Sequence, residues 1–395
     1  MSVPNAKQES EPSFADVILQ QSNEISRRLE MLRIEKFPPN AQKSLRRFSM
    51  AEVADFIGVS QSYLKKLHLS GKGVEPIVTP TGRRYYSGEQ VNELRELLDR
   101  SPRRRPGEKL QIIAVVNFKG GSGKTTTAVH LSQHLALKGY RVLAVDLDPQ
   151  ASLTALFGIQ PEIDRNLSFY ESLRYDSERK PLTDVIQKTN FPALDIVPAN
   201  LELQEYEYET PIAMRAKDPT AGRTFFTRVG AALEEVDDQY DVVVVDCPPQ
   251  LGYLTLTALA AATSVLITVH PQMLDIMSMG QFLLMLGDIL KSIEDAGAKV
   301  SLDWFRYLVT RFEPGDVPQQ EMVGLMQLMF ARQMLKNPMV KSTAISDAGL
   351  TKQSLYEVER SAFTPATYDR ARESLDAVNS EVISLIEESW GRARG

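Results

Sequence analysis

The residues with the clearest chemical purpose lie together at Asn117-Phe118-Lys119-Gly120-Gly121-Ser122-Gly123-Lys124-Thr125-Thr126. Three glycines in four positions let backbone N–H groups converge on an anion. Lys124 then brings an ammonium to the β- and γ-phosphates of a nucleotide, and the Thr125 hydroxyl supplies a ligand for Mg2+. Such a loop works only between a strand and a helix, because the helix N-terminus adds its positive dipole end. Ile112–Val116 is the apolar run before the loop, and an amphipathic stretch follows it. Gly120, Gly121, Ser122, Gly123, Lys124, Thr125 and Thr126 are therefore the candidate nucleotide-binding residues. No Asn-Lys-x-Asp guanine-reading segment occurs, so ATP is expected over GTP.

The elements that must hold this loop are legible as apolar runs alternating with amphipathic helices from residue 110 onward. The runs are Leu110–Val116, Arg141–Asp148, Leu194–Pro198, Tyr240–Pro248, Ser264–His270, Trp304–Phe312 and Met339–Ile345. Val242–Val245 are four consecutive valines, a strand expected to be buried on both faces, since a half-wet strand alternates. Strand–helix alternation predicts an α/β fold with a doubly wound, mostly parallel sheet of P-loop ATPase type.

Ahead of residue 110 the charge changes sign. The whole chain of 395 residues carries −6, but Lys43 to Lys109 holds 14 Lys+Arg against 8 Asp+Glu, a balance of +6. Basic and acidic modules joined in one chain suggest an anionic partner for the basic one. Residues 13–36 carry Phe14, Val17, Ile18, Ile25, Leu29 and Leu32 on one helical stripe, closed by Pro38-Pro39. That stripe must bury itself on its own module or on a second subunit. Ser49 with Glu52 and Ser87 with Gln90 are capping boxes. Met50–Ile57 and Gln61–His68, joined through Gly58-Val59-Ser60, form a helix-turn-helix pattern. Glu75–Thr79 and Arg83–Tyr86 flank Pro80-Thr81-Gly82 as a hairpin, and a last helix runs from Gly88 to about Arg100. In such a module Gln61, Ser62, Tyr63, Lys65 and Lys66 start the helix that contacts DNA, and Arg83 and Arg84 clamp backbone phosphate. The Arg103-Arg104-Arg105-Pro106-Gly107 run reads as a linker that also has the charge to touch phosphate. The expected divisions are 1–42, 43–102, a linker at 103–109 and 110–395.

One cysteine, Cys247, permits no internal disulfide and fits a reducing cytoplasm. No stretch is expected to reach the length of a membrane span. His130 and His134 share a helix face, where a structural role competes with a metal pair.

With Phe118 at the usual opening-glycine position and Lys119 opening the motif instead, the loop is a deviant phosphate loop, and here the sequence resembles the ParA/MinD family of ATPases. The resemblance spans roughly residues 48–380. It implies that Lys119 reaches across an ATP-sandwich homodimer to the partner's phosphates, which makes Lys119, Lys124 and Asp148 the catalytic candidates. Asp146-Leu147-Asp148-Pro149-Gln150 resembles the family motif whose second Asp, here Asp148, positions the attacking water. Asp146 reads equally as a second functional acid or a structural one. Tyr240–Pro249 resembles the Walker B element, with Asp246 holding Mg2+, and Thr310 and Arg311 fall where the base packs. Iron–sulfur relatives need paired cysteines and are excluded. MinD-type relatives end in a basic membrane helix. Here Thr367–Trp390 sets Arg370 and Arg372 against Glu373, Asp376, Glu381, Glu387 and Glu388, so no membrane tether is expected. An N-terminal helix-turn-helix points to large plasmid-type ParA proteins, most like the RepA partition ATPases of repABC replicons. That branch implies a ParB/RepB-type partner, operator DNA, non-specific nucleoid DNA and autorepression. By the same resemblance, Arg332, Lys336, Lys341 and Lys352 are candidates for the non-specific DNA surface. The competing class is a metabolic P-loop ligase or synthetase.

Overall fold

The computed structural model describes residues 13–36, 43–161, 166–215, 225–295 and 301–392. They belong to two compact units, Met1–Lys43 and Ser44–Gly395. In the first, helix α1 (Phe14–Lys36) opens with a reciprocal cap in which Asp16 accepts from the Ser13 amide at 3.0 Å and Ser13 Oγ accepts from the Asp16 amide at 3.2 Å. Phe14, Ile18 and Ile25 of its expected stripe are exposed and Val17 is half-buried. The side chains of Leu29 and Leu32, and Pro38-Pro39, lie outside the described residues.

The second unit begins with β1 (Phe48–Ser49), α2 (Met50–Ile57), α3 (Gln61–Leu69), β2 (Ile77–Val78), β3 (Arg84–Tyr86) and α4 (Gly88–Leu97). Both capping boxes form: Ser49 with Glu52 starts α2, and Ser87 with Gln90 starts α4. Gly58 closes α2 at φ +74°, a left-handed conformation that costs a side chain strain, so the chain turns into α3 within three residues. The hairpin β2–β3 is joined on its other edge by β1, with Phe48 opposite Tyr86, giving an antiparallel sheet in the order β1-β3-β2. The sequence pattern did not announce β1, because two residues carry no periodicity.

The central sheet has seven strands in the order β10-β9-β4-β8-β5-β7-β6. They are β4 (Gln111–Val116), β5 (Val142–Asp146), β6 (Gln187–Lys188), β7 (Leu194–Val197), β8 (Val242–Asp246), β9 (Ser264–Val269) and β10 (Trp304–Val309). All pairings are parallel except that of the short edge strand β6 with β7. Val242 to Val245 are wholly buried, as a central strand covered on both faces requires. Met339–Ile345 is not a strand. It contributes one isolated bridge, Phe312 to Val340, before the Thr343–Leu350 helix starts, because Ser342 caps that helix by accepting from the Ala344 amide.

The helix Met273–Asp295 corrects a second expectation. Its segment Met273–Lys291 is long and apolar enough to cross a membrane by length and composition, with mean hydropathy 1.5. The run is interrupted by Asp275, Gly280 and Gly287, which masks it to the eye. Only 28% of that segment is buried in the fold.

Residues 44–109 pack firmly on the larger body. Arg95 of α4 is 1% exposed, and its Nη2 donates to the Leu137 carbonyl at 2.5 Å, at the C-terminus of helix α5 (Lys124–Lys138). A cation there satisfies carbonyls left open by the helix end. Burial lowers the Arg95 pKa to about 10, which leaves it charged at neutral pH. Gly139 follows α5 at φ +104°, and a Cβ there would sit 2.4 Å from Arg95 Cδ. Gly139→Ala is therefore expected to cost on the order of 2 kcal/mol through backbone strain and displacement of the buried guanidinium. A chemical denaturation midpoint equal to wild type would contradict this.

The Arg103–Arg105 run is largely engaged by the chain's own acids. Arg103 pairs with Glu96 at 2.6 Å, and the Arg104 amide donates to Asp241 at 3.0 Å while its guanidinium meets Asp237.

Candidate nucleotide site

β4 delivers the chain to the loop, and the ends of β9 and β10 fasten it. Gly121 and Gly123 adopt φ +75° and +88°, and a Cβ on Gly123 would lie 3.3 Å from Thr310. Thr310 Oγ1 donates to the Ser122 carbonyl at 2.7 Å, and Thr268 Oγ1 donates to Ser122 Oγ at 3.1 Å. Arg311 Nη1 donates to the Gly121 carbonyl at 3.0 Å from a backbone held at φ +52°. Asn117 bridges inward, its amide group donating to the Thr268 carbonyl and its Oδ1 accepting the Lys119 amide at 2.9 Å. Thr310 and Arg311 thus touch the loop itself. Asn117 and Thr268 were not singled out in the sequence, where nothing marks a hydrogen bond between strand ends.

The loop borders a cleft of about 540 Å3 lined by Gly120, Gly121, Gly123 to Thr126, Asp148, Thr310, Arg311 and the segment Met339–Ser342. A larger cleft of about 720 Å3 lies at the starts of β4 and β9 and holds none of these residues. Lys124 is buried and its Nζ donates to the Lys119 carbonyl at 3.3 Å. Burial lowers its pKa, against the pull of Asp246 and Asp148. Asp246 ends β8 at 1% exposure, and neither carboxylate oxygen has a hydrogen-bond partner. Burial first, then the neighbouring Asp146, raises its pKa.

The two carboxylates of the β5 motif divide their labour. Asp146 is fully buried, accepts from the Thr154 amide and hydroxyl at 2.8 and 2.7 Å, and accepts from the Asp148 amide at 3.2 Å. These bonds tie the motif to Thr154 and suit an acid that orients it. Asp148 is half-buried, lines the cleft, and is raised by burial against a bond from the Gln150 amide. Cys247 is buried with its pKa raised by burial, which keeps it an inert thiol.

Lys119 does not point freely into solvent. Its ammonium contacts Asp275, whose other oxygen lies 3.3 Å from His270 Nδ1. Asp275 and His270 were not foreseen, since they sit about 150 residues downstream with no motif of their own.

His130 and His134 are held by bonds within the fold. His130 Nδ1 meets the Thr126 carbonyl at 2.7 Å and Nε2 accepts the Leu355 amide at 3.2 Å, which fixes a neutral tautomer. His134 Nδ1 lies 3.0 Å from the Tyr356 hydroxyl. Among the described residues no group of three or more His, Cys, Asp or Glu could hold a metal. Burial lowers the His130 pKa to about 4, and His134 shifts the same way. Between pH about 6.5 and 4 the unfolded chain therefore binds a proton that folded His130 refuses, so stability is full above this window and falls on acidification. His130 alone should contribute roughly 3 kcal/mol of this loss. Denaturation midpoints at pH 7, 6 and 5, compared with those of His130→Gln, should show a shallower pH slope in the variant.

The other expected residues are placed as follows. Gln61, Ser62, Tyr63, Lys65 and Lys66 are exposed on α3, Arg83 is exposed on the hairpin, and Arg84 is half-buried. Lys341 lines the cleft and pairs with Glu313 at 2.9 Å. Arg332 and Lys336 are exposed, with Glu381 accepting from the Lys336 amide, and Lys352 is half-buried at φ +53°.

Comparison with known proteins decides the family. An AAA-domain family model matches residues 110–297. A protein of Sinorhizobium fredii provisionally named replication protein A is 64% identical over 388 residues, covering 96% of this chain and 95% of its own. The chain belongs to the ParA-type P-loop ATPases of repABC replicons. The chromosome partitioning protein ParA of Caulobacter vibrioides is 36% identical over 158 residues, 40% of this chain and 55% of its own. Among solved structures, a partition protein at 20% identity superposes with TM-score 0.62 over 95% of this chain and 99% of its own, which establishes the shared fold. Cobyrinic acid a,c-diamide synthase from Mycobacterium smegmatis with bound ADP and magnesium is 28% identical, with TM-score 0.50 over 62% of this chain and 91% of its own. ATP and Mg2+ are the cofactors of a ParA-type P-loop ATPase, and the residues here fit them. The glycine cradle is open, and Asp246 presents buried oxygens without a partner beside the Thr125 hydroxyl, which is among the groups lowering its pKa.

Proposed function

We propose that this ATPase partitions plasmid copies, pairing on ATP, binding DNA non-specifically in the paired state, and repressing its own operon. The observation that carries the reading is Lys119, a second lysine on a phosphate loop that already has Lys124, within a chain aligned almost end to end with a replication protein. The ParA relative, named for chromosome partitioning, supports the same role.

The chain's own residues divide the work. Backbone amides of Gly120 to Thr125 bind the phosphates, and Lys124 neutralises the transferring group. Thr125 and Asp246 would hold Mg2+, which neutralises phosphate charge when bound. Asp148, kept in place by Asp146, orients the attacking water. Lys119 of each copy contacts the phosphates bound by the other, so the fuel bridges two subunits and its hydrolysis releases them. Uncovered apolar side chains beside Asp275, namely Met273, Leu274 and Met277, are the kind of surface that association buries. The exposed stripe of α1 supports a second contact between copies.

Residues 43–102 are read as a winged helix-turn-helix that recognises the operator. Its exposed Gln61, Ser62, Tyr63, Lys65 and Lys66 support base and phosphate contacts, and the Arg83 hairpin supports a wing. Arg332, Lys336, Lys341 and Lys352 remain proposals for non-specific DNA, with Lys341 weakened by its bond to Glu313. A ParB/RepB-type protein is the proposed stimulating partner, and nucleoid association the proposed location.

A second reading, an ATP-dependent amide-forming enzyme, is favoured by the likeness to the diamide synthase. Turnover assays separate the two. Stimulation by DNA with the centromere-binding partner is expected, and stimulation by a carboxylic acid and an amine donor instead would overturn the partition reading.

A further inference from the structure

We propose that Asp275 holds Lys119 on its own chain and that ATP-driven pairing must break this contact, so Asp275 sets how much ATP pairing requires. The inference rests on the reading of Lys119 given above. Asp275 lies in the first turn of the Met273–Asp295 helix and is 7% exposed. One of its oxygens takes the Lys119 ammonium, and the other faces His270 Nδ1 at 3.3 Å. The Lys119 backbone is fixed at both ends of the residue. Its amide donates to Asn117 Oδ1 at 2.9 Å, and its carbonyl accepts Lys124 Nζ at 3.3 Å. Only the side chain is left to move, and that side chain is 46% exposed.

One ammonium cannot serve a carboxylate at home and a phosphate on another copy at once. Withdrawing it leaves a buried carboxylate without its counter-charge, which is costly in a poorly solvated position. His270 Nδ1 stays 3.3 Å away but supplies no counter-charge while its pKa is lowered, as it is here by burial and by Arg311. A triphosphate carries more charge than one carboxylate and wins once bound, so the contact is a threshold and not a block. In this arrangement Asp275 is a positioning residue that acts through Lys119.

The test is sedimentation of the full chain titrated with a non-hydrolysable ATP analogue and Mg2+. Asp275→Asn keeps the shape and removes the charge, and should pair at about five- to tenfold lower analogue than wild type. Asp275→Glu should restore the wild-type requirement, and Lys119→Ala should not pair in either background. A merely structural aspartate would give weaker pairing or none. Asp275→Asn that melts like wild type yet pairs at the same or higher analogue concentration overturns the latch alone. Wild type that never pairs defeats the reading of Lys119 first. Should the variants not fold, amine acylation of the nucleotide-free wild-type chain reads the same contact. Lys119 should react several-fold more slowly than exposed Lys65 and Lys66, and equal rates would overturn the proposal.

Discussion

Lys119→Ala is expected to abolish association driven by ATP while leaving nucleotide bound. The cradle explains why the two properties separate. Phosphate binding draws on backbone amides of Gly120 to Thr125 and on Lys124, whose Nζ is directed into the loop by the Lys119 carbonyl, a backbone atom that the substitution retains. The loop's shape also survives, because Ser122 and Gly121 are held by Thr310, Thr268 and Arg311, none of which touches the Lys119 side chain. What disappears is the only group proposed to reach the other copy's phosphates. Loss of one charge that stabilises developing phosphate charge should lower turnover by about 10²- to 10³-fold. Lys124→Gln differs in kind, since it removes the cis charge and should weaken nucleotide binding as well. Fluorescent-nucleotide titration, sedimentation with the non-hydrolysable analogue and steady-state phosphate release together separate these outcomes. Lys119→Ala that still pairs with the analogue and turns over at the wild-type rate would remove the basis for a bridging lysine.

The loop was legible because its chemistry is local. Seven consecutive residues, a strand before and a helix after specify it, and Val242–Val245 announce their own burial by four identical apolar residues. The caps of α2 and α4 were legible for the same reason, each being a pair of residues three apart. What failed to show was set by pairing across sequence. β1 and β6 are two-residue strands whose only definition is the neighbour each bonds to. Asp275 meets Lys119 across 156 positions, and Arg95 meets Leu137 across 42, with no pattern linking either pair. Met339–Ile345 misled because apolar content suited a strand, whereas Ser342 supplies a helix cap within it. The pattern left Asp146 open between two roles, and its bonds to Thr154, a residue that no motif links to it, and to the Asp148 amide favour the structural one.

Replacing Arg83 and Arg84 together with Ala should remove most operator binding while ATP turnover without DNA stays at the wild-type level. Both lie on the hairpin of the basic segment Lys43–Lys109, remote in sequence from every residue bordering the nucleotide cleft. Arg83 is exposed and offers its guanidinium to solvent, whereas Arg84 is half-buried with its Nε buried, so Arg83 is expected to carry the larger share of the effect. Each phosphate contact releases condensed counterions, so losing two should reduce the slope of log K against log salt by about 2 and weaken binding at physiological salt by roughly 10- to 100-fold. Contacts of this type position the protein and do not read bases, so affinity for operator and for scrambled duplex should fall by similar factors if only the wing is removed. Substituting Gln61 and Lys65 on α3 should instead reduce operator affinity more than scrambled-duplex affinity, because the start of that helix is the part proposed to face the bases. Fluorescence anisotropy on both duplexes at three salt concentrations measures all of these. An unchanged salt slope in the double-arginine variant would place the DNA surface elsewhere on the chain, whereas a collapsed ATP turnover would mean that the hairpin supports the body and not the operator.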